Sequence, residues 1–388
     1  MSNRKSKALT IALLGTALTA GIGARAQQPS DAIPLMSLEN VAYHGFFYAG
    51  GEYVREGEEA TMGGAMYVEV MVPREIRHPY PIVFFHGAGQ TGVDWLQTPD
   101  GRPGWAYDFL EMGYVVYLED YPGRGRSAYV PGHDGDLNIR NAPDLEQIFT
   151  ASAATADFPQ ASRHTQWPGT GRMGDKIFDD FNKTQVQFMG GQDGPAVEAN
   201  IALLDMIGSP VILLTHSQGG AFGWPVAQAR PDLVKAIVTV EPAAPPIRGV
   251  NTSTLEYNPR GGLAYGVSGY PMEYEPPISD PSELAVEIQA EAEGPGLVPC
   301  YQQVEPARQL VGMQDIPVLF LNGEGGYHRI FDHCLANWLN QAGVETEYVR
   351  MEEAGMPGNG HMMMLELNSK EIAEYIGAWL DSNVDDGT

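Results

Sequence analysis

The sequence predicts an α/β fold: a mostly parallel central sheet flanked by helices, with a cap inserted between late strands. Short, continuous apolar runs of strand length recur along the chain, and most of them alternate with segments of helical periodicity. A strand buried on both faces is apolar along its whole length, and parallel sheets are the ones covered on both faces. Two long stretches break the alternation and read as insertions.

The first strands are expected at Met66–Val72 and Ile82–Phe85, and a helical stretch, Tyr107–Met112, leads into a strand at Tyr114–Leu118. The amphipathic segment Ala196–Ile207 precedes a fully apolar strand, Val211–Leu214. A helix over Ala221–Arg230, stopped by Pro231, precedes the strand Ala236–Val240. A strand at Val318–Leu321, a helix from Ile330 to Gln341 closed by Gly343, a strand at Glu347–Met351 and a terminal helix at Ser369–Leu380 complete the alternation.

Residues 128–190 and 243–314 are rich in Pro, Gly, Tyr and Met and too long for ordinary loops. The core is therefore assigned to 27–242 and 315–388, with 128–190 inserted in it and 243–314 as a lid or cap. Within that cap, Glu283–Glu293 carries a helical pattern.

The chain opens with Arg4, Lys5 and Lys7, then an apolar run from Ala8 to Gly23, then Ala24-Arg25-Ala26. That order is a secretory signal peptide cleaved after Ala26. The run is shorter than the roughly 20 apolar residues that cross a bilayer, and Gly15, Gly21 and Gly23 interrupt it. No later segment is long and apolar enough to span, so a secreted or periplasmic protein is expected.

The formal charge is −26, and four of the 23 basic residues but none of the 49 acidic ones fall in positions 1–26. Such a surface repels nucleic-acid phosphates and anionic headgroups. A small molecule is the expected partner, and a neutral one is favoured over an anionic one. Cys300 and Cys334 are the two cysteines; in an oxidising compartment they either form a disulfide or stand as independent buried residues.

The chemistry concentrates at Thr215-His216-Ser217-Gln218-Gly219, where an apolar strand runs directly into a helix. A serine on so sharp a turn is lifted clear of the backbone and can be held against a base, which turns a poor nucleophile into a useful one. Upstream, a strand ends in His86-Gly87-Ala88-Gly89. This loop and the residue after the nucleophile can aim two backbone N–H groups at a developing oxyanion. Gln218 and Ala88 are the expected donors, with Gly89 as the alternative.

Asp120-Tyr-Pro-Gly123-Arg-Gly125-Arg-Ser127 lacks the third glycine and the immediate helix of a dinucleotide loop and reads as a structural turn. His361, in the glycine-rich loop before the terminal helix, is the expected general base. Glu241, at the end of the strand after the nucleophile's, is the expected orienting acid, and Glu324 is the alternative. His328 and His333, five apart, do not form a metal pair and are expected at the surface or in packing. Asp134-x-Asp136-x-Asn138 starts like a calcium loop but has Ile139 in the place of the turn glycine. No metal and no cofactor are expected.

These segments, with Thr91-Gly92, Trp95, Thr98-Pro-Asp-Gly-Arg102, Gly104-Trp105, Val240-Glu-Pro242 and Gly358-Asn-Gly-His361-Met-Met, resemble secreted bacterial α/β-hydrolase esterases with a Ser-His-Glu triad. The resemblance implies the α/β-hydrolase fold, carboxylic ester hydrolysis through an acyl-enzyme, and a glutamate acid, which favours Glu241. A lactonase using the same triad is the alternative within enzymes, and a non-catalytic binding protein the alternative outside them. Tyr257, Tyr265, Tyr270 and Met272 in the cap are expected to shape the substrate pocket.

Overall fold

The computed structural model describes residues 33–190 and 193–385. The expected signal peptide, residues 1–26, lies outside the described residues. Among the described residues, all helices and strands lie in one unit that begins at Ser37.

Eight strands form the central sheet: β1 (Val41–Glu56), β2 (Glu59–Pro73), β3 (Ile82–Phe85), β4 (Val116–Asp120), β5 (Val211–His216), β6 (Val234–Val240), β7 (Val318–Asn322) and β8 (Thr346–Arg350). Their order is β1-β2-β4-β3-β5-β6-β7-β8. Every pairing from β4 to β8 is parallel, and only β2 runs against its neighbours. β3 and β5 are buried at every position, as their unbroken apolar sequences require.

The principal helices are α1 (Trp105–Met112), α2 (Lys176–Thr184), α3 (Asp193–Ile207), α4 (Gln218–Ala229), α5 (Asp332–Gln341) and α6 (Ser369–Asn383). They divide the interior into two cores, one on each sheet face. Val83, Phe85 and Leu213 point to Leu203, Phe222 and Leu335 on one face, and Phe84, Ile212 and Leu214 belong with Trp105, Phe109 and Ile376 on the other. Alternation along a strand sends successive side chains to opposite cores. This is the α/β-hydrolase fold expected from the sequence.

Three elements differ from expectation. Glu283–Glu293 is not a helix: a single 3₁₀ turn, Pro281–Glu283, leads into the strand Val286–Ile288, which pairs with Tyr301–Gln303. Pairing across the cap overrides the helical preference of a Glu- and Ala-rich segment. The sixteen-residue β1 was not anticipated, and β2 extends well before Met66.

Cys300 and Cys334 form a disulfide that ties segment 243–314 to α5. Around it, Phe158 and Ala161 from the first insertion meet Val298 from the second and Ile330 and Phe331 from the core. Both insertions thus converge beside the loops that follow β7. Among the described residues no helix is long and apolar enough to cross a membrane.

Candidate active site

Ser217 sits between β5 and α4 with φ 49° and ψ −122°, a conformation that side chains rarely adopt. Glycines make the turn possible. A side chain at Gly219 would begin 2.7 Å from Phe85 O, and one at Gly220 would begin 2.2 Å from Pro242 Cβ. Thr215 stands where many such turns have glycine, and the space comes from Gly223, whose Cβ would lie 2.9 Å from Thr215 Cγ2. Thr215 Oγ1 donates to Thr239 Oγ1 on β6 at 2.9 Å, so the hydroxyl is buried with a partner.

The His86–Gly89 loop lies against this turn. A side chain at Gly87 would begin 3.1 Å from Ser217 Cβ. Gln218 opens α4, so its N–H has no acceptor within the helix. Arg124, from the turn after β4, bridges the two segments: Nη1 donates to Gly87 O at 2.9 Å and Nη2 to Gln218 Oε1 at 3.1 Å. Burial pulls its pKa down to about 10, which leaves the guanidinium charged at neutral pH. Val186 N–H, from the first insertion, holds Gly89 O at 2.9 Å.

His361 and Glu241 meet at the same sheet edge. Glu241 follows β6 with φ 41°, and its Oε2 accepts from His361 Nδ1 at 2.8 Å while Oε1 accepts from Gly323 N–H at 2.8 Å. The glycines after β7 are what admit this carboxylate: a side chain at Gly326 would begin 2.5 Å from Glu241 Oε1. Glu324 instead accepts from Gly358 N–H at 3.0 Å and faces Arg163, away from the imidazole nitrogens.

With Nδ1 committed to Glu241, His361 Nε2 is left buried without a hydrogen-bond partner. Ser217's neighbour reaches the same histidine: His216 Nε2 donates to His361 O at 3.0 Å, and the two rings are 4.6 Å apart. Burial drives the His361 pKa well below the ordinary histidine value and the Glu241 pKa well above the ordinary carboxylate one. The resting imidazole is therefore neutral, with Nε2 able to accept a proton.

Several contributors had no sequence signal. Phe149 of the first insertion stacks on His361 at 5.1 Å and 16°, and His328 lies nearly parallel to it at 4.6 Å. His328 and His333 are both buried, which corrects the surface alternative considered for them. His328 Nδ1 pairs with Asp332 Oδ1 at 2.8 Å, and burial lowers its pKa to about 4. His328 lies in the 3₁₀ turn Tyr327–Ile330 and Asp332 opens α5, so the pair spans the junction between them.

Behind His361, Glu366 accepts from Gly360 N–H at 2.9 Å, from Asn359 Nδ2 at 2.8 Å and from His164 Nε2 at 2.8 Å. Ser152 Oγ in turn lies 2.9 Å from His164 Nδ1. This buried array fastens the histidine loop to the first insertion.

Tyr257, Tyr265, Tyr270 and Met272 are engaged in packing. Tyr257 donates to Pro299 O and abuts Tyr301, while Tyr265, Tyr270 and Met272 pack on the core beside Phe222. The aromatic rings against His361 are Phe149 and Tyr327, at 5.1 and 5.0 Å between ring centres. Among the described residues two trios could gather a metal. In one, Cys300 and Cys334 are consumed by the disulfide; in the other, Glu241 and His361 are bound to each other.

Comparison with known proteins agrees with this architecture. The model of the alpha/beta hydrolase family matches residues 82–375. A probable secreted lipase, phiG, from a fungal species (strain ATCC 74256) is 43% identical over 338 residues, spanning 86% of this chain and 88% of its own. A solved structure described as a novel bacterial esterase aligns over 93% of this chain and all of its own, with a TM-score of 0.59 and 22% identity, a likeness of fold. By the family match across most of its length and by its relative, the chain is a member of the alpha/beta hydrolase family.

Proposed function

We propose that this protein is an exported serine hydrolase of carboxylic esters. In this reading Ser217 attacks the ester carbonyl while His361 Nε2 takes its proton, and Glu241 holds the imidazole and balances the imidazolium. The oxyanion rests on the N–H groups of Gln218 and Ala88, with Gly89 next in the loop. His361 then protonates the leaving alcohol, and a water activated by the same nitrogen releases the acid.

The observation that carries this reading is the 2.8 Å bond from His361 to Glu241, which leaves a neutral, unpartnered Nε2 beside the strained serine turn. The relative named a secreted lipase supports ester chemistry and export, and the disulfide suits an oxidising compartment. Segment 243–314 is read as a cap, with 128–190 supplying the wall over the imidazole.

The test is a fluorophosphonate probe together with a short-chain aryl ester. The wild-type protein is expected to be labelled at Ser217 and to release the phenol, and Ser217→Ala to lose both. A wild-type chain that is neither labelled nor active would be a binding protein on this fold.

A further inference from the structure

Arg140, in the first insertion, is a cation without an anion. Its guanidinium carbon lies 5.3 Å from the Phe149 ring centre and 5.9 Å from that of Phe188. Phe149 is the ring stacked on His361. Arg140 Cδ is 3.9 Å from where a side chain on Gly89 would begin. Arg140 therefore stands between the loop expected to hold the oxyanion and the wall over the base. Asn141, next in sequence, caps the following helical turn by accepting from Asp144 N–H at 2.9 Å, which fixes the backbone that presents Arg140.

The side chain is partly buried, and its Nε is fully buried without a hydrogen-bond partner. Among the described residues it takes part in no ion pair. This is unexpected on a chain with 49 acidic and 23 basic residues, where a carboxylate partner is easily supplied. Burying part of an unpaired guanidinium has a cost, and the two aromatic faces recover only part of it. An unpaired guanidinium beside Gly89 and Phe149 can take an anion from outside, and its fork matches a carboxylate best. Burial above all, then the neighbouring His216 and His328 and last the Arg140 charge, depress the His361 pKa.

We propose that Arg140 is a carboxylate-binding residue of the active site and that the substrate is an ester bearing a free carboxylate, such as a half-ester of a dicarboxylic acid. This rests on the ester-hydrolase reading above and replaces the neutral substrate expected from overall charge. Net charge describes the field at a distance, whereas the unpaired guanidinium sets the chemistry at contact.

The experiment compares 4-nitrophenyl hydrogen adipate with 4-nitrophenyl heptanoate, esters of similar length that differ by a terminal carboxylate. The readout is the ratio of their kcat/KM values, which is independent of how much enzyme is correctly folded. In the wild type the ratio favours the anionic ester. In Arg140→Met it falls by about tenfold or more, the loss expected for one charge-assisted pair, and Arg140→Lys retains part of the preference. A ratio that is unchanged in Arg140→Met, or near one in the wild type, overturns this proposal alone. Cleavage of neither ester by the wild type overturns the hydrolase reading and this proposal with it.

Discussion

Glu241 and Glu324 are both carboxylates near strand ends, and their surroundings separate them. Glu241 is fully buried and touches His361 Nδ1, whereas Glu324 is tied to Gly358 N–H and Arg163. Glu241→Gln is expected to lower kcat/KM by about 10²- to 10⁴-fold with the fold intact, because an amide can stabilise the wrong imidazole tautomer and carries no charge to balance the imidazolium. Glu324→Gln should change kcat/KM by less than about threefold, since it alters one partly exposed loop contact. Steady-state kinetics with circular dichroism on both variants decides the matter, and the opposite ranking would reassign the acid.

At the scale of elements, the disulfide is the strongest single tie between segment 243–314 and α5. It closes a separation of 34 residues, for which the chain-entropy estimate is about 3 to 4 kcal/mol of stabilisation. Cys300→Ser with Cys334→Ser is expected to lower the urea midpoint accordingly, and reductant should have the same effect on the wild type and none on the double variant. Equal midpoints for all three would mean that the packing of Phe158, Val298 and Phe331 holds the cap unaided.

Elements also show what the sequence could reveal. β3 was legible to the residue because both its faces are buried and its sequence is unbroken. β1 was not: Tyr43 and Phe46 lie largely exposed on an edge strand, and glycines interrupt its alternation. Ser217, His361 and Glu241 were readable because each sits in a loop directly after a strand or before a helix. Phe149, Arg140, His164 and Glu366 were not, because their contacts are made by an insertion folding back over loops far away in the chain.

For the whole molecule, the interior carries titratable groups that couple stability to pH. Burial holds the carboxyls of Asp94 and Glu119 well above their ordinary pKa values. The unfolded chain gives up the Glu119 proton near pH 4.5, whereas the folded one retains it to higher pH. Native stability therefore falls as pH rises through the window between those two values. Glu119→Gln removes the penalty, so its stability relative to wild type should grow by up to about 1.4 kcal/mol per pH unit across that window. Urea titrations at pH 5, 6, 7 and 8 measure this (roughly one-unit steps suffice), and a pH-independent difference would rule it out.

Behind the nucleophile there is no room for variation. With Phe85 O and Pro242 Cβ already occupying the positions where side chains would begin, codons 219 and 220 tolerate glycine alone. Natural drift and laboratory libraries alike must leave that pair untouched and diversify the two inserted segments, so new specificities in this lineage will arise from the wall while its hinge stays frozen.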